Sequence, residues 1–352
     1  MSSAPSELRR SGPDTRGVTG AHRRGPRAVH RAFGLSDQDA LDMYYAMLVT
    51  RQLSQQALRL AFQGTIDVSI PSDGHEAAQI ASMRALRPTD PVYLFYRSVP
   101  AAYARGMTAR EICLGYFGRA DDPSSGGKNL AGHWAKRELC LMSVSGSVAT
   151  QIPHAVGSAL GAKLRGEDSV SVAYFGDGGS SKADFHEALN FAAVQQLPVV
   201  LFCENNGLAI SVPFDKQSPV ARVADRAVGY HVVGISVDGA DPLQVYRVMR
   251  EAVEAARAGS GPALIEARVT RLGQHTSQVG DERSPREVAA ARRADPIPRF
   301  ARYLRHVGLL DDSREHELEQ RAEAEVADAV EFARQAPMPP VARAFQDVYG
   351  PE

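Results

Sequence analysis

Two strand ends, punctuated by glycine and amide residues and set 29 positions apart from Asp177 to Asn206, constrain this chain more than any other feature. Val170 to Phe175 is an unbroken apolar run that reads as a buried strand emptying into Gly176-Asp177-Gly178. A helical stretch follows from Asp184 to Gln195, and Pro198 to Cys203 reads as a second strand ending at Glu204-Asn205-Asn206-Gly207. Asp177 and Asn206 therefore stand at the carboxyl ends of two strands joined by one helix, the edge of an open α/β sheet where ligands bind. A carboxylate and an amide oxygen converging there suit a hard divalent cation such as Mg²⁺, its shell completed by phosphate oxygens and water. Singly, Asp-Gly and Asn-Gly are common turn punctuation. The pair in a strand–helix–strand frame carries the reading.

The same alternation continues along the chain. Ser36, with Asp39 behind it, caps a helix whose apolar residues recur from Leu41 to Phe62 and stop before Gly64. Pro71-Ser72-Asp73-Gly74 is a turn before a helix to about Leu86, and Thr108 with Glu111 forms a capping box. Val92 to Phe95 reads as a strand, Thr150 to Leu164 as a small-residue helix, His231 to Val237 and Pro262 to Thr270 as strands around a helix from Pro242 to Ala258. Such alternation predicts an α/β fold: a doubly wound, mainly parallel sheet flanked by helices. Arg271 to Glu287 is polar and reads as a mobile loop, with helices from Val288 to Arg334. Residues 34–352 form a single domain with a helical C-terminal part on this reading. Residues 1–33, with seven arginines and two acids, read as a disordered basic tail. An Arg-rich transit peptide is the other possibility, but Pro13, Gly17, Gly20, Gly25 and Pro26 spoil an amphipathic helix. A bacterial, cytoplasmic protein is expected over one of the mitochondrial matrix.

Composition removes several classes. The formal net charge is −1, which gives no general pull toward nucleic acid or membrane. No apolar run approaches the roughly 18–20 residues that span a bilayer. Cys113, Cys140 and Cys203 are scattered and lack metal spacing, so buried reduced thiols are expected.

Further segments carry chemistry on their own terms. Tyr96 and Arg97 follow an apolar strand, where a phenol and a guanidinium can both donate to phosphate oxygens. The plainer alternative is a core tyrosine beside a solvated arginine. His133 and His275 lie in polar loops; a loop histidine is usually solvated, yet imidazole titrates near neutrality and serves proton transfer when placed at a site. A valine such as Val148 is ordinarily core packing.

With those residues in view, the Gly-Asp-Gly and Asn-Asn pair resembles the thiamine-diphosphate motif of the transketolase-like superfamily. From Gly34 to about Tyr349 the chain is similar to the α subunit of the decarboxylating component of 2-oxo acid dehydrogenase complexes, of branched-chain or pyruvate type. The resemblance rests on that motif together with Tyr96-Arg97, Gly127-Lys128 through His133, Ser147-Val148-Ala149-Thr150-Gln151-Ile152-Pro153 and Arg271-Leu272-Gly273-Gln274-His275-Thr276, in order and spacing. The Ala-Thr-Gln-Ile-Pro run leans toward the branched-chain group and Glu-Asn-Asn toward the pyruvate group.

The resemblance implies a diphosphate-binding type of thiamine-diphosphate fold. It implies that Asp177, Asn206 and the Leu208 carbonyl hold Mg²⁺, and that Tyr96, Arg97, Arg271 and His275 meet the diphosphate beside Gly176 and Gly178. Val148 would wedge between the cofactor's rings next to Gly146, which stands where relatives often have serine. His275 and His133 fall on the family's catalytic histidines. The implied activity is oxidative decarboxylation of a branched-chain 2-oxo acid with acyl transfer to a lipoyl group on an acyltransferase core. The cofactor's pyrimidine needs a glutamate that in this family belongs to a separate β subunit, so two α and two β chains are expected to assemble.

Departures from the family pattern are Lys182-Ala183 where relatives carry Glu-Gly, Asp67-Val68-Ser69 without the usual aromatics of the substrate region, His75 in place of a common Gln, and a loop after His275 about two residues short. In mitochondrial relatives that loop carries regulatory phosphoserines; Thr276, Ser277 and Ser284 read here as plain loop hydroxyls. A nicotinamide enzyme would want a third glycine after Gly176-Asp-Gly and no acid against the phosphates. The remaining rivals are pyruvate or acetoin chemistry at the same site, and a noncatalytic paralogue.

Overall fold

The computed structural model describes residues 28–346. Its strands are β1 (Val92–Tyr93), β2 (Ser171–Gly176), β3 (Val199–Asn205), the hairpin β4 (Leu208–Ala209) and β5 (Val212–Pro213), then β6 (Val233–Asp238) and β7 (Ala263–Arg268). Five of them form one sheet in the order β1-β2-β3-β7-β6, every pairing parallel. The expected doubly wound α/β architecture is what the chain adopts.

Register places the site. Ser171 lies beside Val199 and Gly176 beside Glu204, so Asp177 and Asn206 leave the sheet at nearly the same height. Successive side chains of β2 and β3 enter opposite cores, as strand pleating requires. Val172, Tyr174, Val200 and Phe202 join one core, while Ala173, Phe175, Leu201 and Cys203 join the other. Burial on both faces is why each strand reads as a continuous apolar run.

Helices Gln151–Arg165 and Ala183–Val194 close the second core through Ile152, Val156, Phe185 and Leu189. Helices Asp37–Phe62, Glu76–Arg84, Pro242–Ala255 and Asp312–Gln335 close the first. Both predicted capping boxes form: Ser36 Oγ accepts from Asp39 N, and Thr108 Oγ1 from Glu111 N. Each cap satisfies helix N–H groups that otherwise lack a partner, a contribution of about 1 kcal/mol.

Several expectations need correction. The fold begins before Gly34: Val29–Ala32 is helical, and buried His30 bonds Asp37 Oδ1 at 2.8 Å and the Tyr303 hydroxyl at 2.6 Å. The basic-tail reading of residues 1–27 lies outside the described residues. Only two residues of the Val92–Phe95 run pair in the sheet. β6 starts two residues later than expected because His231, at φ 56, ends the preceding 3-10 turn Val223–Tyr230. The Arg271–Glu287 loop stops at Ser284, which caps helix Pro285–Arg293, and it is tied down: Ser277 N donates to Ser69 O at 2.8 Å and Ser69 N to Ser277 Oγ at 3.0 Å. Cys113 and Cys203 are buried free thiols, whereas Cys140 is half-buried. Among the described residues no helix is long and apolar enough to cross a membrane.

Candidate active site

A cavity of about 460 Å³ opens at the carboxyl ends of β1, β2 and β3. Tyr96 and Arg97 come to it from beyond β1, Gly176, Asp177 and Gly178 from β2, Asn206 from β3, Leu208 and Ile210 from the hairpin, and His275 from the loop after β7. Gly146 and Val148, on the loop leading into helix Gln151–Arg165, form a further wall. Glycine at 178 is a packing requirement: a Cβ there would stand 2.9 Å from that of Ala209.

The oxygen donors sit together. Asp177 is 1% exposed, at the start of the 3-10 turn Asp177–Ser181, and Gln217 Nε2 donates to its Oδ2 at 3.0 Å. Burial pushes its carboxyl above the usual range, against the hydrogen bonds from Gln217 and the backbone. A buried carboxylate with amide partners is short of a cation. Asn206 Oδ1 accepts from Leu208 N at 3.1 Å, which fixes the amide and leaves a second lone pair. Leu208 pairs with Pro213, which has no N–H to offer the Leu208 carbonyl. Carboxylate, amide oxygen and carbonyl are hard donors suited to Mg²⁺. Among the described residues no three His, Cys, Asp or Glu side chains gather as a metal cluster, so these three oxygens need further ligands from a bound phosphate group or water.

The opposing wall is cationic. Arg97 is 1% exposed; its guanidinium donates to the Pro71 carbonyl, to His275 O at 3.3 Å, and to His275 Nδ1 at 3.1 Å. Arg271 donates to the Ile210 carbonyl at 2.9 Å and reaches His275 Nδ1 at 3.5 Å. Both guanidinium groups are obligate donors, so Nδ1 must accept and the neutral ring carries its proton on Nε2. Burial, then Arg97 and Arg271, lowers His275 to about 4. Burial, then Arg97 and Arg283, lowers Arg271 to about 10. Of the two guanidinium groups only Arg97 lines the cavity; Arg271, 4% exposed, does not line it and meets this wall through His275, and an anion there would relieve the crowding of the two charges. The expectation that His275 titrates near neutrality is corrected: in this setting it is a neutral donor.

Val148 is 47% exposed in the cavity, so core packing does not explain it. His133 does not line the cavity itself. Its Nδ1 is bonded to Leu130 O at 2.9 Å, and its Nε2 lies 3.4 Å from where a Gly146 Cβ would stand. A Cβ at 146 would therefore just touch this ring. Lys182 is exposed on the cavity rim, at the N-cap of helix Ala183–Val194, where the helix dipole disfavours a cation. Asp67 and Val68 lie apart, in a cleft with Tyr116 and Lys128, and Ser69 is buried against the loop.

Sequence reasoning missed three features. Ala149 (φ 78) and Ile210 (φ 59) both line the cavity in left-handed backbone that costs a non-glycine residue roughly 1–3 kcal/mol; residue type gives no sign of it. His75 Nδ1 and Glu204 Oε2 lie 2.5 Å apart, both fully buried, with Gln79 Nε2 donating to the same carboxylate oxygen at 2.8 Å. Gln217 came to notice only through Asp177. For His75 the signal was present, in its departure from a common Gln.

A parallel α/β sheet with an oxygen-donor set and a buried guanidinium group at one cavity on its carboxyl edge is suited to a phosphoryl ligand. The particular family follows from comparison: residues 44–342 match the dehydrogenase E1 component family, and the chain belongs to it. It is 42% identical over 323 residues to the 2-oxoisovalerate dehydrogenase subunit alpha of Bacillus subtilis, covering 91% of this chain and 98% of that one. It is 39% identical over 324 residues to the 3-methyl-2-oxobutanoate dehydrogenase subunit alpha of Mycobacterium tuberculosis, covering 91% and 83%. The pyruvate dehydrogenase E1 component subunit alpha of Staphylococcus aureus is 35% identical over 303 residues, covering 85% and 79%.

Proposed function

We propose that this chain is the α subunit of a branched-chain 2-oxo acid dehydrogenase, working with thiamine diphosphate and Mg²⁺ in the bacterial cytoplasm. Its partners on this reading are a β subunit, two of each, and a lipoyl acyltransferase core that receives the acyl group. The observation that carries it is the 42% identity to a 2-oxoisovalerate dehydrogenase α subunit along 98% of that protein, joined to a cavity with donors of the right hardness and charge.

Bound thiamine diphosphate would supply the electron sink for decarboxylation. The chain's own residues would bind and orient. Asp177, Asn206 and the Leu208 carbonyl would ligate the cation, while Arg97 and Arg271 would neutralise the diphosphate and the Tyr96 hydroxyl would donate to it. His275 would donate from Nε2, and Val148 and Gly146 would shape the ring-binding wall. His133, beside Gly146, would serve a proton transfer. The β subunit would bring the pyrimidine's glutamate, so the α chain alone should not turn over.

Pyruvate is the second reading, carried by the 35% identity to a pyruvate dehydrogenase α subunit. The test is a panel of 2-oxo acids on the α chain co-purified with its β partner, scored by kcat/KM for decarboxylation. Branched 2-oxo acids should exceed pyruvate by at least about tenfold, the order that a few extra buried methylenes allow. Preference for pyruvate would overturn the assignment of substrate, and no decarboxylation of any 2-oxo acid would overturn the function.

A further inference from the structure

Gln217 ends the short helix Phe214–Gln217, just beyond the hairpin. Its Nε2 donates to Asp177 Oδ2 at 3.0 Å and to the Val212 carbonyl at 2.8 Å. Both neighbours are acceptors, so the amide can sit only with its NH₂ group toward them. The Oε1 atom is left buried and without a hydrogen-bond partner. Leaving a buried oxygen unpaired is costly, so this orientation persists because of what Nε2 holds.

Nε2 joins two parts of the candidate cation site. One N–H fixes Asp177 Oδ2 and with it the rotation of the carboxylate. The other N–H holds Val212, in the strand paired with the one that presents the Leu208 carbonyl. The hairpin has a second anchor at its tip, where Arg271 donates to Ile210 O at 2.9 Å.

We infer that Gln217 is a positioning residue that sets the divalent-cation affinity of the site without ligating the cation. It does so by locking the Asp177 carboxylate and the Leu208 hairpin in one arrangement before the cation arrives. Preorganisation of this kind removes ordering costs from the binding step. The inference rests on the magnesium and thiamine-diphosphate reading above and extends it to a residue outside the ligand set.

The experiment uses the α chain co-purified with its β partner and measures thiamine diphosphate binding by calorimetry across a series of Mg²⁺ concentrations. Two variants, Q217M and Q217A, remove both donors. Each should raise the Mg²⁺ concentration for half-maximal binding by about tenfold, the worth of a hydrogen bond to a charged group. Excess Mg²⁺ should restore full stoichiometry. An unchanged Mg²⁺ requirement overturns the inference. So does failure of both variants to assemble, which would make Gln217 a fold staple alone. If the wild-type complex binds no thiamine diphosphate at any Mg²⁺ concentration, the underlying functional reading fails instead, so the two failures are distinct.

Discussion

His275 illustrates how neighbours decide what a side chain can do. As a sequence position it is one loop histidine among ten in the chain. Folded, it is held between Arg97 and Arg271, and its pKa falls from 6.5 to about 4. Between those values the unfolded chain binds more protons than the folded one, so stability falls as pH drops from 6.5 toward 4 and is unaffected above that window. Substituting His275→Gln should therefore flatten the acid side of the stability–pH profile, measured by urea unfolding from pH 7 to pH 4.5. A profile as steep as the wild type's would show that the arginines do not depress this imidazole. That Asp177, Asn206, Tyr96 and Arg97 meet at one cavity was legible, because motif and spacing marked them, whereas Arg271 does not line it. Gln217 and the strained Ala149 and Ile210 were not legible, since their roles come from contacts across the fold that no local pattern encodes.

At the scale of elements, the strands and helices were legible wherever burial imposed a clear period. β2 and β3 announced themselves as apolar runs because both faces are covered, and Ser36 and Thr108 marked helix starts through their capping boxes. β1 shrank because only two of its residues find hydrogen-bonding partners in the sheet, and β6 started late because a left-handed His231 precedes it. The turn at Gly74 is where element joins site. Its φ is +95, and a Cβ would meet the Thr270 carbonyl oxygen at 1.8 Å. Next to it, Leu272 N donates to Asp73 O at 3.0 Å, holding the loop that bears Arg271 and His275. Gly74→Ala should cost more than about 2 kcal/mol, from backbone strain and a clash with fixed backbone. Denaturant titration of the purified variant measures this, and a loss under about 0.5 kcal/mol would mean the turn yields more readily than its packing implies.

Across the whole molecule, one parallel sheet gathers residues from positions 96 to 275 onto its carboxyl edge. Sequence order alone hides that convergence, because Arg97 and His275 are 178 positions apart yet in hydrogen-bond contact. Fold class was readable from strand–helix alternation; the tautomer of His275 and the tie between Asp177 and the hairpin arise from contacts between segments distant in sequence. On the proposed function, three oxygens from two strand ends and a hairpin clamp a divalent cation. Diffraction from crystals of the α–β complex grown with thiamine diphosphate and Mn²⁺, recorded at the manganese edge, tests it most directly. One anomalous peak per α chain is expected within about 2.0–2.4 Å of an Asp177 carboxylate oxygen, Asn206 Oδ1 and Leu208 O. A peak ligated by other residues, or bound cofactor with no metal at these three, would contradict it.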